Sequence, residues 1–360
     1  MAIEWVTRYT ERGERYRVRE DTSMIPILPE FLNCCVYIYK TEKDARAGEV
    51  SGGGSGFWVS VPFKANPDRS QNYAVTAKHV LDGMDNPVLR VNRKDGTSKP
   101  FVTNRLRWKD NGKDDLAVYA LDIDENDFAI MTADISDFVD ERRQQMIYPG
   151  DEAFMVGRFI SHEGKEKNSP SVRFGNISML ATETRVNAYG HDQQTFLVEQ
   201  RSLPGYSGSP VFVFLNPSQP RPPMWMVAGN RIGKINRETT GPWLLGVDWL
   251  HIHNWEQVMD GCDEEAKKIP DRWVKSHTGM AGVIPAWKLA ELLDCEELLV
   301  DRAKDDRRIT EENKPKSYSS YDSASPDAMQ ITPEGAEIPV PTKDQFLNDL
   351  KKIIQKTGGI

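Results

Sequence analysis

The chain has 360 residues, 39% of them hydrophobic and 28% charged, enough apolar sequence to bury a sizeable core. Its net charge of −8 argues against non-specific nucleic-acid binding, which needs clustered Lys and Arg against phosphates. No apolar run of roughly eighteen residues is present to span a bilayer, so neither nucleic acid nor membrane is an expected partner. The start, Met1 to Arg15, lacks the apolar stretch of a secretory signal. The four cysteines fit a reducing compartment, because Cys34 and Cys35 are adjacent and Cys262 and Cys295 form no framework. A cytoplasmic location is the expectation.

Residues 1–29 are charged and punctuated by proline, and read as an arm that packs against the barrel strands after it or adds a short helix. From residue 30 the texture becomes β-rich. Short apolar or alternating runs at 35–39, 56–61, 73–76, 117–121, 153–156, 196–199 and 211–215 are separated by Gly, Pro, Asn and Asp clusters, which predicts an all-β pair of barrels. Residues 254–276 interrupt the last strands as a polar insertion with Trp255 and Trp273, read as a solvated loop or short helix sooner than a regulatory lid. Residues 299–341 are rich in Lys, Asp, Glu, Ser and Pro, the composition of a flexible charged linker. Over 342–357, Phe346, Leu347, Leu350, Ile353 and Ile354 fall at helical spacing and form an amphipathic stripe. That stripe would cover either a regulatory protein partner or the barrel itself.

Three blocks carry chemistry. An apolar strand ends in Thr76-Ala77-Lys78-His79, an acidic residue opens Asp115-Leu116-Ala117-Val118, and Gly205-Tyr206-Ser207-Gly208-Ser209-Pro210 leads into another apolar run. Each is ordinary when met singly, a packed histidine, a strand-opening acid, a turn hydroxyl. Together they supply what a serine nucleophile needs: an imidazole to take its proton and a carboxylate to fix the imidazole tautomer. Asp114 is the rival carboxylate, read as a solvated neighbour.

In these residues the chain resembles the trypsin-like, chymotrypsin-fold serine peptidases, whose blocks are Thr-Ala-x-His, Asp-hydrophobic-Ala and Gly-x-Ser-Gly-x-Pro. Gly54-Ser55-Gly56-Phe57, Leu244 to Trp249 and Gly279 to Pro285 resemble further strands of that fold, so the likeness spans about residues 30–298. It implies two six-stranded antiparallel β-barrels with a closing C-terminal helix. It also implies a catalytic triad of His79, Asp115 and Ser207, an oxyanion hole from the Gly205 and Ser207 amides, and a protein or peptide substrate. Tyr206 stands where the animal digestive enzymes carry an Asp that pairs with a newly cut N-terminus, so activation of that kind is not expected. Ser209 in place of the second Gly is shared with the glutamyl endopeptidase branch.

Aligned on the same pattern, the walls of the primary pocket are Arg201, Ser202 and Leu203 on one side and Asp248, Trp249 and His251 on the other. An Asp248 open to the pocket would favour Lys or Arg in the substrate, whereas an inward Arg201 would neutralise it and leave a pocket for a small or apolar residue. Pairing of Asp248 elsewhere in the barrel is an equal alternative. His251 and His253 share a strand face, but no Cys-x-x-Cys or His-Glu-x-x-His accompanies them, so no metal and no other cofactor is expected. The reading is a serine endopeptidase of narrow or partner-gated specificity. Its rival is a catalytically silent barrel that binds peptides along its strand edges.

Overall fold

The computed structural model describes residues 4–9, 15–20, 26–48, 52–162, 164–200, 205–215, 242–261, 267–312, 329–331, 335, 337–339, 345–348 and 352. Residues 1–303 form one compact unit and 304–360 a second. In the first unit the arm forms an antiparallel hairpin of β1 (Glu4–Tyr9) and β2 (Arg15–Glu20), with no helix among its described residues before the short turn Pro29–Cys34.

A curled sheet follows, built from β3 (Cys35–Tyr39), β4 (Gly54–Pro62), β5 (Ser70–Thr76), β6 (Val88–Asn92), β7 (Ser98–Val102), β8 (Ala117–Ala120) and β9 (Thr132–Asp134). Its order is β7-β6-β3-β4-β5-β8, and it curls as a half-barrel with a break in its ladder. The reason lies between β7 and β8. Thr103 donates both its N–H and its hydroxyl to the Pro87 carbonyl, and Asn104 caps a short 3-10 turn at Arg105–Arg107. The chain regains sheet geometry only at Lys109, which exchanges two backbone bonds of 2.8 and 2.9 Å with Val118 on the edge of β8. A seventh strand completes the sheet. β9 runs parallel to β4 from Trp58 onward, taking over the edge that β3 leaves free beyond its Cys35–Phe57 pairing.

The second sheet is a closed barrel of β10 (Glu152–Gly157), β11 (Ser171–Met179), β14 (Phe196–Glu199), β17 (Lys268–Pro285), β16 (Trp243–Met259) and β15 (Pro210–Phe214), in that order around the ring. Closure leaves no edge to aggregate. Between β11 and β14 a small hairpin, β12 (Thr184–Val186) with β13 (Asp192–Gln194), leaves the barrel wall. Val139, Met155, Phe196, Val198, Val211, Leu245 and Val283 fill the barrel interior. Phe154, Phe212, Leu244 and Ile284 point the other way, into the core that also holds Tyr37, Phe57 and Trp58 of the first sheet. Period-2 alternation thus serves two cores at once.

Two expectations change in this unit. The stretch 254–276 is no loop or helix in its described parts: β16 and β17 continue as a two-stranded ribbon through Trp255–Lys275 and Gln257–Trp273 pairs, with both tryptophans exposed. Alternating apolar residues among charges suffice for strands once a partner strand is in register. The helix Ala286–Leu293 closes the unit as predicted, burying Ala286, Leu289, Leu292 and Leu293. A further helix, Glu296–Glu312, occupies residues assigned from composition to the linker. Glu, Lys and Arg are good helix formers when something anchors them. Arg302 is that anchor, donating to Tyr73 Oη at 3.0 Å and to Asp294 at 3.1 Å. Among the described residues no helix is long and apolar enough to cross a membrane.

In the second unit β18 (Met329–Ile331) pairs with β19 (Glu337–Pro339), so the linker composition includes a short hairpin. Residues 345–348 are helical, with Phe346 and Leu347 exposed; most of the predicted 342–357 helix lies outside the described residues.

Replacing Arg302 by alanine is expected to lower the unfolding free energy by about 1–3 kcal/mol in urea denaturation, since a buried phenol loses its charged partner. An unchanged midpoint would remove the helix 296–312 from the folded domain.

Candidate active site

His79 sits in a one-turn helix, Lys78–Leu81, at the end of β5, and Asp115 two residues before β8, the neighbouring strand. Pairing of β5 with β8 brings the two together. The His79 Nδ1 lies 2.6 Å from Asp115 Oδ2, and the His79 backbone N–H donates to Asp115 Oδ1 at 2.8 Å. A carboxylate on Nδ1 makes that nitrogen the protonated one and leaves Nε2 as the acceptor. Asp115 is 1% exposed, so it meets no competing water. Burial is the largest influence on His79 and pushes its pKa down, yet the hydrogen bond and charge of Asp115, with the charges of Asp248 and Asp82, outweigh it and hold the imidazole above the usual 6.5. The stability this contributes is complete below pH 6.5 and is lost as pH rises through the raised value.

Ser207 sits on the turn that enters β15, between Gly205 (φ +100°) and Gly208 (φ +86°), left-handed positions that a side chain would strain. Space forbids one as well. A Cβ on Gly208 would lie 2.2 Å from both the Ser55 carbonyl oxygen and Thr76 Oγ1. The turn is bolted to the first sheet by Ser55, whose N–H donates to the Ser207 carbonyl at 3.0 Å and whose hydroxyl donates to the Gly205 carbonyl at 2.7 Å. On the other side Tyr206 is buried in the barrel core, its phenol bonded to Ser171 and to Arg173 Nε. This role explains why an aromatic residue stands there, and a local motif does not reveal it.

The hydroxyl itself faces an unexpected group. Among the described residues the hydrogen-bond partner of Ser207 Oγ is His251 Nε2, at 3.4 Å. Burial, then the neighbouring imidazoles of His277, His253 and His79, push the His251 pKa down to about 4, so it is neutral at pH 7. Its ring lies 6.4 Å from that of His253 and 6.5 Å from that of His277, contributed by β17. His277 escaped the sequence reading because it joins the others only through strand pairing.

Asp248 is fully buried. Its backbone accepts from Gly208 N–H at 2.7 Å and donates to the Ser209 carbonyl at 2.9 Å, and its charge acts on His79. Trp249, beside it, is 6% exposed. Arg201, Ser202 and Leu203 lie outside the described residues. Asp114, expected to be solvated, is 8% exposed and bonded to Asn111 and Gln193. No group of three or more His, Cys, Asp or Glu among the described residues is arranged to hold a metal ion.

Residues 54–214 match the family described as the trypsin-like peptidase domain, and the match takes in His79, Asp115 and Ser207; the chain carries a domain of that family. No curated protein matches the sequence. Similar solved structures include the apo protease domain of MamO from Magnetospirillum magneticum, 14% identical over 73% of this chain and 97% of that one, with a TM-score of 0.40. Another is an inactive serine-to-alanine mutant form of Rv3671c from M. tuberculosis H37Rv, 15% identical over 75% of this chain and 95% of that one, TM-score 0.38. Deg5 is a third, 14% identical over 61% of this chain and 81% of that one, TM-score 0.36.

Two outcomes follow from this geometry. Asp115→Asn is expected to drop the His79 pKa below 6.5, read by NMR titration of the imidazole, because burial, the largest influence, is then opposed only by the charges of Asp248 and Asp82. Gly208→Ala is expected to cost about 2–4 kcal/mol of stability in chemical denaturation, from backbone strain and overpacking together.

Proposed function

We propose that this chain is a serine endopeptidase. The observation that carries the reading is the buried Asp115 carboxylate, 2.6 Å from His79 Nδ1, on an imidazole whose side chain is 30% exposed. Such an imidazole has a free Nε2 of raised basicity, the requirement for drawing a proton from a serine hydroxyl. Ser207 Oγ adds to the scissile carbonyl carbon as its proton passes to His79 Nε2. The oxyanion is held by the Gly205 and Ser207 amides. Collapse breaks the C–N bond, His79 returns the proton to the leaving amine, and an acyl group remains on Ser207. Water then repeats the sequence, giving its proton to His79 and releasing the carboxylic acid. Asp115 keeps the tautomer and stabilises the imidazolium that forms twice per cycle.

The substrate on this reading is a protein or peptide. The described residues of the ribbon 254–276 and the exposed Phe346 and Leu347 support narrow or partner-gated cleavage. The corresponding organisation is a peptidase domain from about residue 30, followed by a tail that docks a regulatory partner. Rapid, unselective digestion of unfolded casein by the full-length chain would contradict that gating.

One observation favours a second reading. With Ser207 Oγ directed at the weakly basic His251, the same barrel could bind peptides without cleaving them. The two readings separate on intact mass after fluorophosphonate treatment. The endopeptidase is expected to take one adduct on the native wild type and none on Ser207→Ala or heat-denatured protein; no adduct on native protein would favour the silent binder. If His251 merely parks the hydroxyl, His251→Ala is expected to speed adduct formation several-fold, whereas loss of labelling would make His251 the working base.

A further inference from the structure

The hairpin β12–β13 leaves the second barrel and ends on the loops of the first sheet that carry His79 and Asp115. Its contacts are specific. Gln193 is fully buried; its Oε1 accepts the Asp115 N–H at 2.8 Å and its Nε2 donates to Asp114 Oδ1 at 2.9 Å. The carboxamide orientation follows from its partners, since a backbone N–H needs an acceptor and a carboxylate needs a donor. Further along the hairpin loop, Asn187 Nδ2 donates to the Lys113 carbonyl at 2.7 Å, fixing the residue before the acidic pair. At the tip Tyr189 donates to both oxygens of Asp82 at 3.1 Å, and the Lys78 ammonium lies 4.6 Å from the centre of its ring. Lys78 and Asp82 flank His79 in sequence. One hairpin therefore grips the chain on both sides of the imidazole and on both sides of the Asp114–Asp115 peptide.

A buried Gln offers little as packing, because each of its polar atoms costs stability unless it is bonded. Here the amide joins two consecutive aspartates, one facing His79 and one facing away. Without the Nε2–H, Asp114 would be a buried carboxylate held only by Asn111 Nδ2 and its own turn, next to the carboxylate on which His79 depends. Without Oε1, the Asp115 N–H would lose its acceptor and the carboxylate its fixed direction. Among the described residues, Asp115, Asp248, Asp82 and His251 bear on His79, and the hairpin holds two of these, Asp115 through Gln193 and Asp82 through Tyr189.

We propose that the hairpin Thr184–Gln194 is the positioning element of the His79–Asp115 pair, with Gln193 as the positioning residue that fixes both Asp114 and Asp115. The proposal rests on the peptidase reading for its effect on turnover and stands without it for its effect on the imidazole. The test uses the full-length chain as wild type, Gln193→Met, Gln193→Glu and the double variant Gln193→Glu/Asp114→Asn, all compared at temperatures where thermal unfolding shows each to be folded. Two readouts are taken: the downfield Nδ1 proton resonance of His79 with the pH of its titration, and the pH profile of fluorophosphonate labelling of Ser207.

Gln193→Met is expected to weaken or broaden the Nδ1 resonance, lower the His79 pKa and slow labelling about tenfold to a hundredfold, the scale of a small misplacement in an active site. Gln193→Glu, which sets a carboxylate against Asp114, is expected to be at least as damaging. The double variant restores a donor opposite an acceptor and is expected to recover most of the resonance and the rate. Unchanged resonance, titration and labelling in both single variants would overturn the proposal. So would equal loss in all three variants, because a packing role gives no rescue. A wild type that shows the resonance but takes no label would defeat the peptidase reading alone, and the resonance series would still decide on Gln193.

Discussion

Ser55 is the residue on which the arrangement turns. Fully buried in β4, it donates its N–H to the Ser207 carbonyl and its hydroxyl to the Gly205 carbonyl, while the same hydroxyl accepts the Arg158 N–H at 2.8 Å and its carbonyl accepts Thr76 Oγ1 at 2.7 Å. Three of these four bonds join the two sheets, and the fourth, from Thr76 of β5, stays within the first. A serine carried by one sheet and a histidine carried by the other cannot be aligned by either alone. Close approach is also why the neighbours are glycines: a Cβ on Gly54 would lie 2.8 Å from the Ser207 carbonyl oxygen, and one on Gly56 2.7 Å from that of Val75. The Gly-Ser-Gly triplet is a consequence of backbones that touch.

Around this bolt the electrostatics are unevenly divided between two imidazoles. His79 has three carboxylates to stabilise its cation, and they overcome the burial that opposes it. His251 has burial and three imidazole neighbours acting in the same direction, all against its cation. Only the first can hold a proton transiently near neutral pH and give it back. The 3.4 Å contact between Ser207 and His251 is thus a contact to the weaker base. Rotation about the serine Cα–Cβ bond, a low barrier between staggered wells, is the movement that would separate a resting hydroxyl from a reacting one.

Much of this was legible in the sequence wherever chemistry imposes a local rule. Glycines flanking Ser207, an apolar strand ending at His79 and an acid opening a strand at Asp115 each leave a signature of a few residues. The barrel strands were legible through their short apolar and alternating runs, and the closing helix through the family resemblance. What escaped lacked such a signature. Gln193 is an ordinary polar residue in a polar hairpin, and only the fold brings it to Asp115. His277 meets His251 and His253 by cross-strand register, which one sequence does not disclose. The helix 296–312 was hidden because charged residues serve disorder and helix alike, and buried contacts such as those of Leu298 and Arg302 decide between them. The break in the first sheet has no sequence signature, because the chain between Thr103 and Lys109 trades strand pairing for side-chain and turn hydrogen bonds.

The central claim is that His79, seated on Asp115, is the base that activates Ser207. The most direct test is the rate of fluorophosphonate labelling of Ser207 as a function of pH. If His79 is the base, the rate is expected to rise through a single ionisation above pH 6.5, matching the titration of His79 observed in the same protein. A rise centred near pH 4, where His251 loses its proton, or a rate that ignores pH across both values, would contradict the account.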